Sequence, residues 1–200
     1  QLFAIPRQFS DQGVLRYGFH GLSYHYISTR LPDTLDAPEG KVIVAHLGNG
    51  ASMCAMQNRQ SVATTMGFTA LDGLVMGRRC GELDPGVIFY MMRDLGMSVA
   101  QTEDMLSRQS GLMGVSGISS DMRDLLASDA PAAQEAVDLF VYQAVKKIGA
   151  LTAIERVVTA ATRIVATCTR CCTAATATPA STATAAATAA VTAAAAAANG

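Results

Sequence analysis

KVIVAHLGNGASMCAMQNRQSVATTM, residues 41–66, reads as three short strands in succession. Lys41 to Leu47 is an apolar run rich in β-branched residues, and it stops at Gly48-Asn49-Gly50. Residues 51–57 alternate, and Ser61 to Met66 form a third short run after Asn58-Arg59. Runs of this kind, parted by tight-turn residues, predict a three-stranded antiparallel meander.

Downstream the pattern becomes helical. Asp84 is an N-cap with Pro85 at the first helical position, and apolar residues continue to Gly96, a natural C-cap. Ser98 and Gln101 make a capping box for the next helix, which Gly111 is expected to end. A longer helix is expected from about Pro131 to Ala150. Val137, Phe140, Val141, Ala144, Val145 and Ile148 recur there at helical spacing, while Glu135, Asp138 and Lys146 lie off the stripe. Strands followed by helices predict an α/β or α+β domain.

The chain has 200 residues and a formal net charge of −1, so no basic field exists to hold nucleic acid or an anionic membrane. Its apolar half is enough for a sizeable core. No stretch reads as a signal peptide or a membrane span, which points to the cytoplasm. Five cysteines give an odd count, and Cys168, Cys171 and Cys172 crowd together, so a disulfide framework is not expected. Residues 1–150 read as ordinary globular sequence. After Arg170 there is no charged side chain, and 23 of the last 30 residues are Ala or Thr. A stretch without long apolar side chains or a periodic face builds no core. Residues 154–200 are therefore expected to be either a disordered low-complexity tail or sequence foreign to the domain, such as a shifted reading frame would produce.

Four stretches hold candidate chemistry. In His46-Leu47-Gly48-Asn49-Gly50, two glycines at a strand end let backbone amides approach a phosphate, but Asn-Gly is also the commonest hairpin turn. Both readings are compatible. In Arg16 to Gly21, RYGFHG, a lone His20 is more often a structural hydrogen-bonder than a catalyst. In Met76 to Gly86, MGRRCGELDPG, Arg78 and Arg79 are either phosphate-binding forks or solvated charges balanced by Glu82 or Asp84. Ser119 to Asp124, SSDMRD, reads as a helix start with a serine cap and acids in the first turn. The Cys168, Cys171, Cys172 cluster has no nearby histidine and falls short of a closed zinc site. Cys54 and Cys80 read as packing residues, and no GxxxxGK[ST] loop is present.

In order, RYGFHG, VAHLGNGAS, MGFTALDGLVMGRRCGELDPG and SGLMGVSGISSDMRDL resemble consecutive signature blocks of the acetate kinases, with propionate kinases as the nearest relatives. The similarity covers residues 1 to about 153. It implies part of the actin, Hsp70 and sugar-kinase (ASKHA) fold, with a ribonuclease H-like domain. It also implies a cytoplasmic homodimer that uses ATP and Mg²⁺ to phosphorylate a small carboxylate, acetate or propionate. Under the resemblance, His20 and Arg79 match transition-state residues. His46, Leu47, Gly48, Asn49 and Gly50 match a nucleotide-phosphate loop, and Asp121, Met122 and Arg123 match a block contacting the nucleoside. Leu22-Ser23-Tyr24-His25 departs from the family's Thr-Ser-His, and Met122 stands where phenylalanine is common. The family's opening strand asparagine, substrate arginine and catalytic aspartate are expected before residue 1. Its glycine-rich adenosine loop and metal-binding glutamate are expected after residue 153. The chain is thus expected to be a piece of a kinase, inactive alone. The rival reading is a non-catalytic ATP-binding or dimerisation module.

Overall fold

In the computed structural model, the structure describes residues 1–35, 38–156, 162–167 and 175–177. Along them run α1 (Arg7–Asp11), α2 (Gly21–Thr34), β1 (Lys41–Leu47), β2 (Ala51–Gln57) and β3 (Gln60–Thr64). Then come α3 (Pro85–Arg93), α4 (Val99–Arg108), α5 (Gly111–Ser116), α6 (Met122–Leu126), α7 (Pro131–Arg156), β4 (Thr162–Thr167) and β5 (Ala175–Ala177).

The meander forms as expected. β1 pairs antiparallel with β2 from Lys41↔Gln57 to Leu47↔Ala51, and β2 pairs with β3 across Asn58 and Arg59, both at positive φ. Every residue of β1 is buried because the sheet is covered on both faces. On one face Ile43, Ala45, Leu47, Met53 and Ala55 pack with Ala136, Phe140, Ala144 and Ile148 of α7. On the other, Val42, Val44, Cys54 and Met56 pack with Tyr24, Ile27 and Leu31 of α2. β1 is thereby the central strand of a three-layer unit, and its carboxyl end carries the HLGNG turn. Among the described residues, no helix is long and apolar enough to cross a membrane.

Several boundaries differ from expectation, each for a local reason. Helix α3 stops at Arg93, and Gly96 (φ +68) turns the chain three residues later. Gly111 does not end α4, whose C-cap is Gln109; at φ +66 it opens α5 instead. Asp121, not a serine, caps α6 by accepting from Arg123 N, while Ser119 Oγ accepts from Asp121 N and donates to Asp124 Oδ2. The capping box of Ser98 and Gln101 is present. Helix α7 continues past Ala150 to Arg156, since Leu151 extends its buried stripe. Helix α2 has no counterpart in the sequence reading. No element is expected after Ile154 on sequence alone, yet the backbone of β4 lies parallel to β1, giving the strand order β3-β2-β1-β4-β5. Thr162, Ile164, Val165 and Thr167 supply the β-branched residues that a strand favours. The cluster Cys168, Cys171, Cys172 and most of residues 157–200 lie outside the described residues.

Candidate active site

The HLGNG turn is a hairpin loop in which Gly48 N donates to Gly50 O at 3.1 Å. Against it sits the turn Met76–Arg79. Gly77 N donates to Asn49 O at 3.0 Å, and a Cβ on Gly77 would lie 2.0 Å from Asn49 Oδ1. Only glycine admits the asparagine this closely. The same turn is tied to the start of α5, where Leu112 N donates to Met76 O at 2.9 Å and Met113 N to Gly77 O at 3.0 Å.

Two side chains converge on Gly50 from opposite parts of the fold. His20 precedes α2 with a left-handed backbone (φ 59) and makes no capping bond, which leaves its imidazole free to reach the sheet. A Cβ placed on Gly50 would lie 3.3 Å from His20 Nε2 and 3.4 Å from Arg79 Nη1. Arg79 is half-buried and steadied by a bond from Nη1 to Ala70 O of 3.2 Å, whereas Arg78 is exposed. The structure therefore separates the two arginines that the sequence left equivalent.

Both imidazoles at the site are held uncharged. His20 and His46 stack with ring centroids 4.0 Å apart and planes 17° off parallel. Burial, helped by the Arg79 charge, lowers the pKa of His20. Burial, helped by His20, brings that of His46 down to about 4. Nδ1 of His46 bonds Ser23 Oγ at 3.0 Å, and Nδ1 of His20 bonds Ser52 Oγ at 2.7 Å. A base whose folded pKa lies below its unfolded value takes up more protons when unfolded, so stability is lost as pH falls between the two values. For His46 the window runs from about pH 6.5 down to about 4. Thermal unfolding followed by circular dichroism is expected to show His46→Gln losing less stability than the wild type between pH 7 and pH 4.5. Parallel losses in both would exclude a neutral His46.

The nucleotide-like residues line a separate cavity of about 160 Å³ on the α7 side of the hairpin. Its walls are Leu47, Met76, Leu112, Met122 and Phe140, with Gly48, Asn49, Gly77, Ser120 and Asp121 at the polar rim. Met122 is buried in this wall. Arg123 is exposed, and its guanidinium folds back on Asp121, with Nη2 to Oδ2 at 2.7 Å and Nε to Oδ1 at 3.2 Å. Of the expected site residues, then, Leu47, Gly48, Asn49, Asp121 and Met122 meet at one cavity. His20, His46, Gly50 and Arg79 meet beside it, and Arg123 stands apart. Sequence reasoning missed Tyr24, Ser52, Gly77 and Phe140. A usable signal existed for Ser52, a hydroxyl in an apolar strand directly opposite His46.

The sequence model of the acetokinase family matches residues 1–167. An acetate kinase of Rhodopseudomonas palustris strain TIE-1 is 61% identical over 153 residues, which is 76% of this chain and 38% of that protein. One from Methylocella silvestris is 56% identical over 156 residues, again 76% and 38%. Among solved structures, Porphyromonas gingivalis acetate kinase superposes with a TM-score of 0.72 at 37% identity, covering 77% of this chain and 40% of that one. A propionate kinase from Francisella tularensis gives 0.72 at 38% identity, covering 76% and 40%. The chain spans about two fifths of the length of these relatives.

Proposed function

This chain belongs to the acetokinase family, and from that premise we propose that it is the nucleotide-side part of an acetate kinase, which transfers a phosphoryl group between ATP and acetate. The observation that carries this reading is the convergence of His20 Nε2 and Arg79 Nη1 on Gly50, the residue that follows Asn49, which rims the neighbouring cavity together with Asp121. In the forward direction a carboxylate oxygen of acetate attacks the terminal phosphorus of ATP in line. A new O–P bond forms, the bond to the bridging oxygen breaks, and ADP leaves with the electron pair. Charge spreads over the equatorial oxygens in such a transfer, and fixed donors aimed at them stabilise it. His20 and Arg79 are those donors. Gly48, Asn49 and Gly50 hold the nucleotide phosphates, with His46 and Leu47 setting the loop. Asp121 and Met122 face the nucleoside, and Arg123 orients Asp121.

Mg²⁺ supplies neutralisation of phosphate charge when bound. Among the described residues no group of three His, Cys, Asp or Glu side chains fits a metal ion, so no step is assigned through it. The strand order β3-β2-β1-β4-β5, with β1 and β4 parallel, supports a ribonuclease H-like domain of the actin, Hsp70 and sugar-kinase fold. On this reading residues 1–153 hold the end of one lobe and the start of the nucleotide-binding lobe of a cytoplasmic homodimer. Propionate is the second acceptor to consider, because among solved structures a propionate kinase superposes as well as an acetate kinase, each with a TM-score of 0.72. One methylene in an apolar pocket is worth only about 1–3 kcal/mol.

The test is a chimera in which residues 1–153 replace the matching segment of the Rhodopseudomonas palustris acetate kinase. Acyl phosphate trapped with hydroxylamine is expected from ATP, Mg²⁺ and acetate, with propionate a slower acceptor. A folded chimera that binds ATP without forming acyl phosphate would leave only a nucleotide-binding module.

A further inference from the structure

The buried hydroxyls of Tyr24 and Ser52 have no place in the mechanism above, yet they end on one of its residues. Tyr24 Oη and Ser52 Oγ are in short hydrogen-bond contact, and Ser52 Oγ is 2.7 Å from His20 Nδ1. Tyr24 is 7% exposed and Ser52 is fully buried. We propose that Tyr24 and Ser52 are positioning residues that fix His20 in the Nε2–H tautomer and aim that N–H at the space over Gly50.

Proton placement along Tyr24, Ser52 and His20 decides which ring nitrogen is the donor. His20 is a neutral imidazole, since burial and the Arg79 charge both oppose its protonation, so one ring nitrogen carries a proton and the other accepts. Ser52 has one proton to donate and two partners. If Ser52 donated to Tyr24, the phenolic proton would be buried without an acceptor, because the other group bonded to that hydroxyl, the backbone N–H of His46, is itself a donor. Leaving such a donor unmet costs about 1–3 kcal/mol. If Tyr24 donates to Ser52, then Ser52 donates to Nδ1, Nδ1 is the acceptor, and the ring proton sits on Nε2. Every proton of the chain is then satisfied. Burial raises the pKa of Tyr24 well above the ordinary phenol value, so it keeps the proton that starts the relay. The stack on His46, at 4.0 Å, clamps the ring face while Ser52 holds its edge. Nε2–H and Arg79 Nη1 thus present two donors to one point, 3.3 and 3.4 Å from a Cβ built on Gly50. Two converging donors suit an oxygen carrying negative charge.

The inference rests on the proposed role of His20, and the experiment separates the two. Long-range ¹H–¹⁵N correlation spectra of the full chain labelled with ¹⁵N-histidine are expected, at pH 7, to show His20 with Nε2 protonated and Nδ1 bare. In Tyr24→Phe, which keeps the ring, the two nitrogens are expected to move toward averaged positions. Ser23→Ala, which removes the hydroxyl bonded to His46 Nδ1, is expected to leave the tautomer of His20 unchanged. In the chimera, Tyr24→Phe is expected to lower kcat about 10–100-fold, the usual scale for losing a supporting partner, with the KM for ATP unchanged. A wild-type His20 protonated on Nδ1 overturns the relay without recourse to any variant, as does an unmoved tautomer in folded Tyr24→Phe. A shifted tautomer with unchanged kcat overturns instead the role of His20 on which the relay depends.

Discussion

Replacing Arg79 by alanine in the chimera is expected to lower kcat for acyl phosphate formation by about 10²–10³-fold, the loss typical of removing one fixed transition-state donor. The expectation comes from where the guanidinium lies. Arg79 has no carboxylate partner among the described ion pairs, and Nη1 is held by Ala70 O at 3.2 Å beside Gly50. A charge kept half-buried without a counter-ion is poised for an anion that arrives with the substrate. Because little of the fold depends on it, the melting temperature should hardly move. Arg79→Lys keeps the charge but not the fork and is expected to fall between wild type and alanine. The exposed neighbour serves as the control: Arg78→Ala is expected to retain nearly full activity. Equal losses at both positions would mean that a general positive field, not one aimed donor, matters here.

Gly111→Ala is expected to cost far more stability than Gly117→Ala, although both positions have the same backbone conformation. Gly111 and Gly117 both have left-handed backbones, at φ +66 and +64. A methyl group on Gly117 meets nothing within 4 Å, whereas one on Gly111 would lie 2.2 Å from Met76 O and 2.7 Å from Arg79 O. Gly117→Ala should therefore cost only the left-handed strain, about 1–2 kcal/mol. Gly111→Ala adds a backbone collision that nothing nearby can relieve by rotating a side chain, worth at least about 2 kcal/mol more. Denaturant unfolding of the two variants reads the difference directly. The collision would also push the Met76–Arg79 turn, so Gly111→Ala should lose activity as well, and Gly117→Ala should not. Equal stability of the two variants would show that α5 does not press on that turn.

The contrast between these glycines also marks how far local sequence reasoning reaches. Read along the chain, Gly111 looked like a helix stop, because glycine after a polar helix end is the usual C-cap. Its actual constraint comes from Met76 and Arg79, more than thirty residues earlier. The same limit explains Ser119, which sits beside the true cap, Asp121. It also explains helix α2, whose only signal was a glycine after His20 followed by mixed aromatic and polar residues.

Elements whose cause lies within a few neighbours are legible along the chain. The meander follows from apolar runs broken by Gly48-Asn49-Gly50 and Asn58-Arg59, α3 and α4 follow from their caps, and α7 follows from a stripe of 3.6-residue period. The ordered signature blocks determined the family. Which of two adjacent arginines turns inward, the stack of His20 on His46, and the place of Tyr24 and Ser52 behind His20 emerge from long-range packing alone. Those relations join residues 26 to 32 positions apart across two layers of the fold. They exist because α2 and the Met76–Arg79 turn are both pressed against the end of the β1–β2 hairpin, and no pattern of period 2 or 3.6 encodes a contact of that range.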